Sequence, residues 1–199
     1  ICDKDIDVTN IEFTSGEQSL RIFGGLSDSV EDTLTLDVER FDISIINPLL
    51  GKTAAFAGTA TGKALLASSG KGKSLSVDFL CDSANISGSR MGTVRMGCRW
   101  DNSSDIISLE AVNFLDGKTS FDIKGSYAAG SKEIGASALF SGFDLSCVSA
   151  YTGGIFSETS GALSGGFRVS GKTSGLEIES TGARFDNALL RIAFTNVPY

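Results

Sequence analysis

The sequence predicts an all-β protein, a long curled antiparallel sheet with little helix. Three observations predict this class. Apolar and polar residues alternate in short segments, which is the two-residue period of a half-buried strand. Glycine is abundant, at 24 of 199 residues, whereas proline occurs only twice, and 41% of the residues are apolar. This composition is typical of many short strands joined by tight turns. The chain also repeats itself once, and the alternation changes phase at the same place in each copy.

The strands are predicted from the alternation, in chain order. It is clearest at residues 33–38, 75–79 and 176–179, where Asp37, Asp78, Glu177 and Glu179 fall on the polar face. Further strands are predicted at residues 6–13, 20–23, 95–100, 106–114, 121–125, 167–169 and 191–195. Turn residues separate them at Ser15-Gly16, Asp116-Gly117, Ala129-Gly130 and Ser174-Gly175. The order of strands and short turns indicates an antiparallel meander.

Two short helical turns interrupt this pattern. At Asn47-Pro48-Leu49-Leu50 a capping side chain precedes a proline at the first helical position, and Gly51 would end the turn. Residues 149–153 offer a comparable start and stop in the second half of the chain.

The internal repeat covers most of the chain. Residues 12–22 align with 113–123, residues 41–44 with 143–146, and residues 57–62 with 160–165. The sequence therefore predicts two tandem repeats of about 101 residues, at 1–101 and 102–199, that continue as one structural unit.

The phase change predicts a β-bulge in each repeat. Apolar residues occupy even positions up to Val38 and odd positions from Phe41, and the same change follows Phe140. One extra residue in a strand restores the inward face, so we expect bulges near Glu39-Arg40 and Ser141-Gly142. A bend that recurs at the same repeat position is typical of a sheet that curves.

Composition excludes several function classes. Histidine is absent, so Ser-His-Asp and Cys-His catalysis and the commonest metal ligand are unavailable. The net charge of −7 and the pI of about 4.6 argue against a nucleic acid partner. No apolar run approaches the roughly 20 residues of a membrane span, and the first residues are not a signal peptide. We therefore expect no enzyme, no cofactor and no metal. The chain is expected to be either a soluble cytoplasmic domain or a piece of a larger exported protein.

Several motifs favour ordinary structural interpretations. Cys2, Cys81, Cys98 and Cys147 are widely spaced, so free, partly buried thiols are expected. The acidic residues 3–7 begin like a calcium loop but lack its glycine and closing glutamate, which favours a solvated strand edge. Residues 58–63 lack phosphate-loop spacing, which favours a turn between strands.

The inward apolar positions are the candidate site. They line either an ordinary dry core between two sheets or a surface left open for a ligand, and alternation alone does not decide between these. The candidate residues are Leu34, Leu36, Val38, Phe41, Ile43, Leu75, Val77, Phe79, Phe121, Ile123, Phe167, Val169, Leu176, Ile178, Ile192 and Phe194. Trp100 is expected at a strand end or at the rim of this surface.

Short phrases in both repeats resemble those of a known family. FDISIINPLL at 41–50, followed by FAGTATGK at 56–63, is similar to repeated phrases of the TamB family of AsmA-like envelope proteins. The second repeat carries FDLS at 143–146 and FSETSGALSGGF at 156–167, and residues 186–188 read DNA, which in the family precedes a final strand. The second repeat departs from the pattern at 149–152, where the Asn-Pro-Leu-Leu phrase is replaced.

The resemblance implies a fold and a role. The fold is an open apolar trough called a β-taco, in the periplasmic part of an inner-membrane-anchored translocation and assembly module subunit. The role is non-enzymatic: the candidate residues would shield phospholipid acyl chains during phospholipid transport and outer-membrane biogenesis. The implied partners are phospholipid, membranes at the ends of the parent protein, and an outer-membrane barrel protein of the TamA or BamA type. The alternative is a secreted adhesion or carbohydrate-binding module with a closed β-sandwich core.

Overall fold

Eleven antiparallel strands follow one another in a single curled sheet, in the order of the chain. The structure is a computed structural model that describes residues 6–27, 31–50, 55–69, 72–146, 148 and 156–192. Its strands are β1 (Ile6–Ser15), β2 (Gln18–Leu26), β3 (Asp32–Asp42), β4 (Phe56–Ser69), β5 (Gly72–Ile86), β6 (Ser89–Asp101), β7 (Ile106–Phe114), β8 (Phe121–Ala128), β9 (Glu133–Asp144), β10 (Phe156–Lys172) and β11 (Gly175–Ile192). The predicted all-β antiparallel class is confirmed.

Tight turns explain why neighbouring strands pair. Asp116 and Gly117, between β7 and β8, have φ values of 51° and 76°. Ser87 and Gly88, between β5 and β6, have φ values of 50° and 94°. Two consecutive positive φ values are typical of the hairpin turn whose twist matches that of the flanking strands. The turn predicted at Asp116-Gly117 is therefore confirmed.

The first predicted helical turn is also present. A 3₁₀ helix at Ile43–Ile46 follows β3, and helix α1 spans Asn47–Leu50. The Asp42 side chain caps the 3₁₀ helix, because Ser44 N donates to Asp42 Oδ1 at 2.9 Å. Gly51 and residues 149–153, which were predicted to end this turn and to form the second one, lie outside the described residues.

Both predicted bulges are confirmed. The register of β3 against β4 shifts between Val38 and Phe41, and Arg40 N donates to Thr61 Oγ1 at 3.1 Å. The register of β9 against β10 shifts opposite Ser164, where Gly142 N donates to Ser164 Oγ at 2.9 Å. A backbone amide freed by the bulge thus bonds a hydroxyl of the next strand in both halves of the chain.

The strands distribute evenly over the two predicted repeats. The strands β1 to β6 fall within residues 1–101, and β7 to β11 fall within 102–199. Pairing of β6 with β7 is as regular as any other, so the sheet runs on without a break. The repeat boundary itself stays a prediction.

Two predictions of local structure need correction. Residues 176–179 and 191–192 are in strand as predicted, but they belong to one strand, β11, which continues through residues 186–188 with register shifts against β10, and residues 193–195 lie outside the described residues. Residues 58–63 lie inside β4 and form no turn. Gly58 is needed there because a Cβ would lie 2.8 Å from Cys81 Sγ.

The packed core lies along one margin of the sheet. Its buried members are Cys81, Ala84, Met91, Val94 and Phe121, and Ile43, Ile86, Ala111, Ile123, Phe140, Phe143 and Val148 pack against them. The rings of Phe140 and Phe143 are 5.2 Å apart. Phe143 follows the bulge in β9 and Ile43 begins the 3₁₀ helix after β3, so both segments contribute to this core. The described strands form one sheet, so the two-sheet sandwich of the alternative is not found.

Candidate functional site

The candidate site is the apolar face of the sheet. Strand register links residues of all eleven strands into rows that run across the sheet, with one residue from each strand. Three adjacent rows on this face are almost entirely apolar. They are called the Leu75 row, the Val77 row and the Phe79 row.

The members of each row follow from the strand pairing. The Leu75 row contains Val8, Gly24, Leu34, Leu66, Leu75, Trp100, Ile107, Tyr127, Ile134, Gly171 and Leu176. The Val77 row contains Ile11, Ile22, Leu36, Ala64, Val77, Cys98, Leu109, Gly125, Ala136, Val169 and Ile178. The Phe79 row contains Phe13, Leu20, Val38, Gly62, Phe79, Met96, Ala111, Ile123, Ala138, Phe167 and Ser180. Only Tyr127 and Ser180 carry a hydroxyl group.

The rows cross the whole sheet. Neighbouring strands lie about 4.8 Å apart, so a row through eleven strands is about 48 Å long. In its central part, over β5 to β9, the face lines a concavity of about 640 Å³. The lining comes from all three rows and includes Val77, Phe79, Met96, Cys98, Leu109, Ala111, Ile123, Tyr127 and Ile134.

The lining is open to solvent. Leu109 is 56% exposed and Met96 is 43% exposed, although both line the concavity. Ile178, at the β11 end of the Val77 row, is 72% exposed. The packed core covers the margin beyond the Phe79 row, so the described side chains leave much of the three rows uncovered.

Most of the candidate residues come together on this face. Eleven of them belong to the three rows: Leu34, Leu36, Val38, Leu75, Val77, Phe79, Ile123, Phe167, Val169, Leu176 and Ile178. Phe121 and Ile43 lie in the packed core, and Phe41 pairs with Ala60 beyond the bulge. Ile192 pairs with Phe156 at the end of β11, and Phe194 lies outside the described residues.

Several lining residues were not among the sequence candidates. Met96, Cys98 and Trp100 alternate along β6, and Ile107, Leu109 and Ala111 alternate along β7. The alternation of these residues predicts the two strands, but only the strand register shows that they share a face with Val77. Trp100 is the second-last residue of β6, at a strand end as expected.

The opposite face carries a row of charges, here called the charged row. Its members, from β1 to β11, are Glu12, Arg21, Asp37, Lys63, Asp78, Gly97, Glu110, Lys124, Ser137, Arg168 and Glu179. Acid and base alternate from strand to strand. Where two charges of one sign would become neighbours, Gly97 or Ser137 stands between them. Opposite charges that face each other across strands stabilise the register.

Ion pairs of the charged row lower carboxyl pKa values. Asp37 accepts from Arg21 at 3.1 Å and lies 3.4 Å from Lys63 Nζ. Burial alone would raise the pKa of Asp37, but the bonds to Arg21 and Lys63 outweigh it and hold the pKa below its ordinary value. The Arg95 guanidinium, bonded to Asp78 at 3.1 Å, likewise lowers the pKa of Asp78.

A second hollow, of about 630 Å³, lies on the charged face. Its lining comprises the charged residues Arg99, Glu110, Lys124 and Arg168, several serines and glycines, and the apolar residues Leu109, Ala136 and Val169. Its charged and hydroxyl groups can bind water or a polar molecule. The two faces therefore differ in that the charged face offers four charged side chains beside its hollow.

Possible metal ligands and thiols are the remaining groups of the described part of the chain that bear on a functional site. No group of three or more His, Cys, Asp or Glu side chains there is placed to bind a metal ion. Cys81 and Cys98 are free thiols, as expected, whereas Cys2 and Cys147 are not described. Burial raises the pKa of the Cys81 thiol, with a further contribution from Asp82, which makes it a poor nucleophile.

Comparison with protein-family models, with curated proteins and with solved structures finds no match. Among the described residues, no helix has the length and hydropathy of a membrane span.

Proposed function

We propose that this chain shields phospholipid acyl chains in the open trough formed by its three apolar rows. In this proposal it is a non-enzymatic periplasmic segment of a TamB-like, inner-membrane-anchored protein. It serves phospholipid transport and outer-membrane assembly together with an outer-membrane barrel protein. The observation that carries the proposal is the continuity of the three rows across eleven strands, with the packed core of the described residues along one margin.

The length of the rows suits an acyl chain. The hydrocarbon core of a bilayer is about 30 Å thick, so the acyl chains of one leaflet span about 15 Å. Rows of about 48 Å would hold such a chain at several successive positions. Each buried CH₂ group contributes about 0.8 kcal/mol wherever it contacts the lining, so movement along the rows keeps the contact energy nearly constant.

The chemistry of the lining also supports the proposal. The central concavity of about 640 Å³ falls within the range of ligand pockets, roughly 300–1,000 Å³. Apart from Glu110 and Ser126, its side chains are aliphatic, aromatic or sulfur-containing, and they are only partly buried. A surface of this kind has no fixed polar partners, so it favours a chain over a particular headgroup.

Photocrosslinking tests the proposal directly. A photoreactive amino acid is placed at Val77, in the lining, and in a separate variant at Leu80, which is 40% exposed on the charged face. Each protein is incubated with vesicles of phosphatidylethanolamine and phosphatidylglycerol and then irradiated. Intact mass spectrometry reports covalently attached phospholipid.

The expected result is attachment of phospholipid from position 77 and little from position 80. Equal attachment at both positions would indicate contact with the vesicle surface and would contradict a trough. No attachment at position 77 would remove the acyl-chain proposal and return attention to the adhesion alternative.

A further inference from the structure

The two edges of the sheet carry unpaired backbone groups. No described strand pairs with the outer side of β1 or of β11. β11 is 18 residues long, and its first eleven residues, from Gly175 to Phe185, are all exposed. A long, exposed edge strand readily pairs with an additional strand, and the charges along it restrict which strand it can accept.

The charged row ends on an acid at both edges. Glu12 is its member on β1 and Glu179 its member on β11. Glu177 precedes Glu179 on the same face of β11, opposite Ser170. Each interior acid of the row faces at least one neighbouring cation or a bonded arginine, whereas Glu177 and Glu179 have no partner on their outer side within the described residues.

This arrangement disfavours pairing between copies of the chain. If the apolar rows stay continuous, joining two β11 edges sets glutamates against glutamates. Joining β1 of one copy to β11 of another sets Glu12 against Glu179. A shift of the register by two residues, which keeps the same face, sets Glu12 against Glu177. Like charges that face each other directly across strands are destabilising, so the sheet resists growth by addition of itself.

We propose that the β11 edge binds an extended segment of a second protein in which basic residues alternate with apolar ones. The basic side chains of this added strand lie opposite Glu177 and Glu179 and continue the charged row. Its apolar side chains lie beside Leu176 and Ile178 and extend the Leu75 and Val77 rows. The proposal concerns the edge alone and does not depend on an acyl chain in the trough.

Peptide binding tests this proposal. A short peptide that alternates valine with lysine is titrated with the intact chain, with fluorescence anisotropy as the readout. A peptide of the same composition with the lysines grouped together controls for attraction to the net charge of −7. A third peptide alternates valine with glutamate. We expect the alternating lysine peptide to bind about tenfold more tightly than either of the others.

Charge reversal at the edge provides the matched control. In Glu177→Lys/Glu179→Lys, the alternating lysine peptide should lose about tenfold in affinity and the alternating glutamate peptide should gain. The variant Glu31→Lys/Glu39→Lys changes the net charge equally at exposed positions away from β11 and should leave both affinities nearly unchanged. Equal binding of the grouped peptide, or an equal loss in the control variant, would overturn the proposal.

Self-association gives an independent measurement. The wild-type chain should sediment as a monomer, whereas Glu177→Lys/Glu179→Lys should form head-to-tail oligomers because its lysines can face Glu12 of another copy. Adding Glu12→Lys to that variant should restore the monomer. Wild-type oligomers that the charge reversals leave unchanged would show that edge charges do not select the partner.

Discussion

At the scale of single residues, burial and charge in this sheet depend on partners that are distant in sequence. Asn113 has no exposed surface, although asparagine is usually found at the protein surface. Its side chain donates to Met91 O at 3.0 Å and to Ser120 Oγ at 2.8 Å, and it accepts from the amides of Ser120 and Phe121. No local pattern marks such a residue. Alternation along β7 places Asn113 on the apolar face, but it does not identify the hydrogen-bond partners of its side chain.

The first residue-scale prediction concerns Asp37. The substitution Asp37→Lys places a lysine between Arg21 and Lys63, so that three cations lie on adjacent strands of the charged row. We expect a loss of about 1–2 kcal/mol in the free energy of unfolding, measured in urea, because two favourable pairs become repulsive. Glu39→Lys, an exposed position on the same strand opposite Ser19, should cost no more than about 0.5 kcal/mol. Equal losses in the two variants would contradict a specific role for the charged row.

The second prediction concerns acid. The folded-state pKa values of Asp37 and Asp78 lie below their ordinary values. Such groups stabilise the fold fully above their unfolded pKa, about 3.9, and this contribution is lost as the pH falls through the lower folded values. The free energy of unfolding should therefore decrease below about pH 4.

Removing both carboxylates checks that these residues are the cause. The variant Asp37→Asn/Asp78→Asn should be less stable than the wild type at pH 7 and should lose less stability on acidification. The measurement is urea unfolding at a series of pH values. An unchanged pH dependence in the variant would assign the acid sensitivity to other carboxylates.

At the scale of strands, the sequence predicts the features that depend on the alternation of apolar residues and on turn residues. The alternation located the strands, and its phase change located the bulges at Arg40 and Gly142, because one extra residue is the simplest way to keep apolar side chains on one face. Strand ends were less predictable. β11 continues through Asn187, whose φ of 48° is unusual within a strand, because the paired strand β10 holds it in place.

Deletions test the bulge as an element. Removing Gly142 leaves a regular strand in which Phe140 and Phe143 still face inward, so we expect the protein to fold with a loss of about 2 kcal/mol or less. Removing Ala138, in the regular part of β9, reverses the face of every residue on one side of the deletion, so apolar side chains of β9 move to the opposite face of the sheet. That deletion should cost more than about 4 kcal/mol in chemical unfolding. Similar losses for the two deletions would contradict the assignment of the bulge.

At the scale of the whole molecule, the trough and the charged row come from register. Sequence alternation gives each strand two faces, but it does not show that Val77 lies between Ala64 and Cys98, or Asp78 between Lys63 and Gly97. Register is set by turns, bulges and cross-strand pairs acting together. The candidate residues of the trough could therefore be named from the sequence in part, whereas their continuity across eleven strands could not.

Native mass spectrometry of the wild type and of Val77→Asp tests most directly whether the apolar rows remain open to an acyl chain. Val77 is half-buried in the Val77 row, so an aspartate there would reach solvent and cost little stability, while its charge would repel an acyl chain. We predict phospholipid adducts on the wild-type chain and their loss in Val77→Asp, with the urea midpoint nearly unchanged. A wild-type chain without adducts, together with a Val77→Asp variant that fails to fold, would contradict the account.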